Sequence, residues 1–147
     1  MEPFLKILRE RACAETIPVD AALTDALARL SRLLAQLAAD LQVEYLGPPV
    51  GLGDGRDAFR LAVRAHQEAP GVRTWGVRVC SAQPHAGLRA DWDLPVVSRL
   101  RKVVVVRALP AFLAGYEAAV AGAGRSGTRS SERLASLVRE LGADRAA

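Results

Sequence analysis

The chain has 147 residues, half of them hydrophobic and 24% charged, a composition that suits one globular domain with its own core rather than a disordered chain. Its 20 Lys and Arg against 16 Asp and Glu leave a formal net charge of +4, which suits an acidic or phosphate-bearing partner but falls short of an extended basic stripe. No run reaches the ~20 apolar residues of a bilayer span, because Arg99, Arg101, Lys102, Arg107 and Glu117 interrupt the nearest one, Leu94 to Ala123.

The opening MEPFLKILRERAC is too short an apolar run for a signal-peptide core. A cytoplasmic protein without membrane contact is therefore expected, with Cys13 and Cys80 as reduced thiols. Lys6 and Lys102 are the only lysines, a bias that fits a GC-rich bacterial coding sequence better than a binding function. Pro3 stands where a first helical residue belongs, and Phe4, Ile7 and Leu8 share one face of a short helix. TIPVD breaks it, with Asp20 available as the next N-cap. Leu23, Leu27, Leu30, Leu34, Leu37 and Leu41 then recur at spacings of four and three, which predicts a long helix with one leucine seam. Each buried leucine contributes roughly 1.5–3 kcal/mol, so the seam must be covered. A second copy is one solution. The protein's own sheet is the expected one, since the seam is short for a coiled coil.

Past Asp40 the period changes from helical to alternating. Leu41, Val43 and Tyr45 alternate with Gln42 and Glu44. After GPPVGLGDG, Phe59, Leu61, Val63 and Ala65 oppose Arg60, Ala62, Arg64 and His66. Beyond the Pro-Gly turn, Trp75, Val77 and Val79 oppose Thr74, Gly76, Arg78 and Cys80. LRADWDL puts Leu88, Ala90, Trp92 and Leu94 opposite Arg89, Asp91 and Asp93. Short connections between such runs predict an antiparallel meander of about four strands with one wet face. Residues 95–122 carry a helical period, although KVVVVRA is β-branched enough for a strand and Pro110 should end or kink the helix. AGAGRSGTRSS reads as a glycine–serine tether. SERLASLVRELG then reads as a short amphipathic helix capped by Ser131 and stopped at Gly142. The expected fold is α+β: a long N-terminal helix on the meander, a Pro-broken helical segment and a tethered C-terminal helix. The expected boundaries are a domain over 1–122, a linker over 123–131 and the helix and tail over 132–147.

Function is less directly legible. Leu134, Leu137, Val138 and Leu141 have the spacing with which a helix docks in another protein's groove, the alternatives being its own sheet or helix and a second copy. With the leucine seam they point to a non-catalytic protein-interaction module, an adaptor or an assembly factor of chaperone type, that holds a partner or self-associates. Arg60, Arg64 and Arg78 form an alternative anionic-partner surface that, with Arg99, Arg101 and Lys102, would suit a nucleic-acid-binding regulator. Against that, Phe59, Trp75 and Trp92 have the opposite parity, so the arginine face lacks a stacking platform for bases. Glu44, Asp91 and Asp93 on flanking strands would neutralise much of its charge. GLGDG lacks the G-K-[ST] ending of a phosphate loop and leads into a strand. Cys80 with His66 or His85 is the only thiol–imidazole option, and zinc-type ligand pairs are missing. No cofactor, metal or catalytic residue is expected.

Overall fold

A computed structural model describes residues 2–51, 59–81 and 91–142, and of Glu68, Ser81, Asp91 and Trp92 the backbone alone. Helix α1 (Pro3–Cys13) starts on its proline and buries Phe4, Leu5 and Leu8. Helix α2 (Ala21–Leu41) begins at Asp20, whose Oδ1 accepts the Leu23 N–H at 2.9 Å. The whole leucine seam is buried, each member at most 6% exposed. Leu41 still belongs to it, so the helix ends one residue later than the alternating pattern implies. Gln42 closes the helix in the left-handed conformation, φ 57°, with its N–H on Ala38 O at 2.8 Å. The strand expected from Leu41 therefore shrinks to β1 (Tyr45–Leu46).

The sheet is antiparallel in the order β1-β2-β3-β4. It is carried by one long hairpin of β2 (Phe59–Ala69) and β3 (Val72–Ser81), while β1 and β4 (Asp91–Asp93) are short flanks. Pro70 and Gly71, the latter at φ 78°, supply what a type II turn demands at its two central positions. Such a turn twists against the strands. The register shift between Gln67 and Ala69 absorbs the mismatch. On the covered face Phe59, Leu61, Val63, Val77 and Val79 are at most 2% exposed.

Helix α2 lies against β3, and α3 (Arg99–Gly122) lies against β1 and β2. The α3 contact is close because two glycines allow it. A Cβ on Gly47 would stand 3.0 Å from the Phe112 ring of α3, and one on Gly115 would overlap the Tyr45 hydroxyl. Contrary to the expected break, α3 is continuous through Pro110. The proline deprives Val106 of one hydrogen bond, yet it sits on the buried face with Val106, Leu109 and Leu113, where burial outweighs that loss. The four-valine run is helical for the same reason: tertiary packing overrides β propensity. Ser98 caps α3, its Oγ accepting the Arg101 N–H at 3.3 Å, and Pro95 lies in a 3-10 turn, Leu94–Val96. By length and composition α3 is apolar enough to cross a membrane. Here its apolar face from Val105 to Val120 is turned into the core.

Residues 123–128 are a built corner rather than a tether. Arg125 N–H bonds Val120 O and Gly124 N–H bonds Ala121 O, both at 3.0 Å, the two bonds of a Schellman stop. Glycine is required at 124 and 127, where φ is 72° and 87°. Thr128 then caps α4 (Arg129–Gly142): its Oγ1 accepts the Ser131 N–H at 3.0 Å while Ser131 Oγ accepts the Thr128 N–H at 2.9 Å. Residues 129–131, assigned by sequence to the linker, are thus the first turn of α4, and Ser131 reciprocates the cap instead of forming it. α4 packs on α1, α2 and α3. Ser130 Oγ donates to Asp40 Oδ2 at 2.6 Å, and Arg133 pairs with Glu2 at 3.2 Å.

Candidate functional site

The four anchors of the C-terminal helix are engaged at home. Leu134, Leu137 and Leu141 are at most 3% exposed and belong to the main core cluster, and Val138 packs against it. Their spacing does fit a groove, but the groove they fill is the protein's own. The leucine seam is spent in the same way.

Arg60, Arg64 and Arg78 do share the uncovered face of the sheet, and each reaches a neighbour. Arg78 stands opposite Asp93 in the register and pairs with it at 2.6 Å. Arg64 Nη2 lies 3.1 Å from Cys80 Sγ, and Arg60 Nη1 reaches Gly47 O at 3.4 Å. Ala62, between Arg60 and Arg64 on the strand and opposite Arg78, is 2% exposed. Trp75 packs on the core from the other face and Phe59 is buried there, so no aromatic platform accompanies the arginines among the described residues. Trp92 stands opposite Val79, which is on the core side. Of the more distant basic residues, Arg99 donates to Val19 O at 3.2 Å and Lys102 to Thr24 Oγ1 at 3.1 Å, fastening the start of α2.

The thiol–imidazole pair is not assembled from His66. His66 stands opposite Thr74 while Cys80 stands opposite Arg60. Six residues of β3 separate them, about 20 Å at strand spacing. His85, Leu88, Arg89, Ala90 and the glycines at 53 and 55 lie outside the described residues, among which no group of three or more His, Cys, Asp or Glu is placed to hold a metal ion.

What the sequence did not disclose is a groove at the edge of β3. Gly47 N–H bonds Leu61 O at 2.8 Å and Phe59 exchanges bonds with Val50, so the odd residues of β2 face β1. The even ones must then face β3, and by the register their partners are Thr74, Gly76, Arg78 and Cys80. The N–H and C=O of Arg73 and Trp75 accordingly point the other way, toward the β4 side. Among the described residues the pairing stops there, because the last β4 residue is Asp93, opposite Arg78. Five consecutive residues, Thr74 to Arg78, line a groove of about 310 Å³ along this edge. One wall is α2, through Ala28, Ser31, Arg32 and Ala35; Asp93 and Pro95 close one end. The small residues at 28, 31 and 35 leave the space. No sequence signal marks this site, because it depends on where β4 stops. Comparison with protein-family models, with curated proteins and with solved structures finds no match to this chain.

Proposed function

We propose that this chain is a non-catalytic protein-interaction module, an adaptor or assembly factor, and that it engages its partner at the free edge of β3. The observation that carries this reading is the run of strand backbone at Trp75 and Arg73 left beyond the reach of β4 and bordered by a groove under α2. A strand edge with unused N–H and C=O groups is a template for adding an extended segment, the main chain supplying affinity and the groove wall selectivity. The amphipathic C-terminal helix no longer supports the reading, since its anchors are buried.

The experiment compares tagged wild type with Ala35→Arg, which fills the groove from the α2 wall, and Arg60→Glu, which reverses charge on the uncovered face. A partner retained by wild type and Arg60→Glu but lost by Ala35→Arg, with unchanged circular dichroism, is the expected result. Equal retention by Ala35→Arg sinks the edge as the docking site. Loss in Arg60→Glu alone would transfer the function to the arginine face.

A further inference from the structure

The groove is charged as well as open. Arg32 lines its α2 wall and is exposed, and Arg73 is exposed on the neighbouring stretch of β3. Among the described residues neither has a carboxylate partner. The one acidic residue in the lining, Asp93, is taken by Arg78 at 2.6 Å. Arg73 and Trp75 also share strand parity, both lying on the side of the sheet that carries α2. A segment added to the edge would place its residues opposite Arg73 and Trp75 on that same side, two positions apart, next to Arg73 and toward the α2 wall that carries Arg32. The intervening residue would point outward toward Thr74 and Gly76.

Resting on the proposed edge docking, we infer that the occupant is an extended segment of a partner protein with acidic side chains at alternate positions. Backbone pairing to Trp75 and Arg73 holds the strand. Glutamate or aspartate on the α2 side meets Arg32 and Arg73 over the space left by Ala28 and Ala35. Two carboxylates at this spacing select against basic or uncharged strands, because each unmatched choice leaves the cations facing like charge or nothing. A second copy of this chain fits poorly. Its own β3 would bring another Arg73 and Arg78 to the edge and no free carboxylate.

The test uses short capped peptides of alternating valine and glutamate, the same with lysine, and the glutamate peptide N-methylated at alternate residues. Binding is followed by backbone amide shifts of the full-length protein. Expected are shifts centred on Arg73 to Val77 with the glutamate peptide, an affinity falling about tenfold in Arg32→Glu and less in Arg32→Gln, and weakening with salt. The N-methylated peptide should not bind. Equal binding of the lysine peptide, or indifference to both Arg32 variants, overturns the acidic preference while leaving the edge as a docking site. If no peptide moves the Trp75 amide, the edge reading falls with it. If the free protein is a dimer that Ala35→Arg dissociates, the occupant is a second copy and the proposal is wrong.

Discussion

Tyr116 is fully enclosed, its ring stacked 6.3 Å from that of Tyr45, and its hydroxyl has no hydrogen-bond partner among the described residues. Burial pushes its pKa up to about 12. A buried hydroxyl left unpaired costs about 1–3 kcal/mol, so Tyr116→Phe should stabilise the protein by about 1 kcal/mol in urea unfolding at neutral pH. The pH dependence has a definite sign. The folded pKa lies above the usual value of 10, so the tyrosine's contribution is intact below pH 10 and is lost as pH rises toward 12. The advantage of the phenylalanine variant should therefore widen in alkali; a constant gap would mean that the hydroxyl is not shielded from water. The helical period over residues 95–122, which contains Tyr116, was legible in the sequence. The isolation of the Tyr116 oxygen was not legible, because it depends on Tyr45 arriving from β1 and on Gly115 making room.

Among the elements, α2 depends most visibly on one residue at its start. Asp20 caps the Leu23 N–H and receives two hydrogen bonds from Arg11 at 3.1 Å, so α1 and α2 are joined at the cap. The Arg11 guanidinium, and after it the Leu23 N–H, hold the Asp20 carboxyl below its ordinary 3.8. That contribution is present above the ordinary value and disappears as pH falls through the depressed one. Asp20→Ala should lower the melting temperature at pH 7, and the deficit should close as the pH is taken below that of the capped carboxylate. A deficit unchanged in acid would assign the loss to packing. Asp20, the leucine seam and both long strands were readable because cap chemistry and hydrophobic period are local. The failures share a cause. Pro110, the valine run and the glycines at 124 and 127 each have two local readings, and only packing against other elements selects one. Glycine can mean a loose chain, but here it means two positive-φ positions in a tight corner.

On the scale of the molecule, α4 is a structural member. Its leucines join a core containing Leu5, Leu8, Leu34 and Tyr116, so removing residues 124–147 should abolish cooperative unfolding rather than detach a binding arm. Circular dichroism melts of the truncated chain test this, and a sharp transition at the wild-type temperature would restore the tether. The uncovered sheet face was readable to the level of which residues share it. The groove was not, because a free edge is defined by the length of a neighbouring strand, and β4 reveals its end only in pairing with β3.

The packing of α4 on α1 and α2 also sets an order of events during synthesis. A nascent chain that has emerged only as far as Gly122 has made α2 and the hairpin but must leave the leucines beneath α4 bare to solvent. Domains close as units, and a polypeptide held at that stage offers sticky surface to its surroundings. Ribosome-tethered chains exposed only through Gly122 should thus show more holdase capture and aggregation than chains exposed through α4.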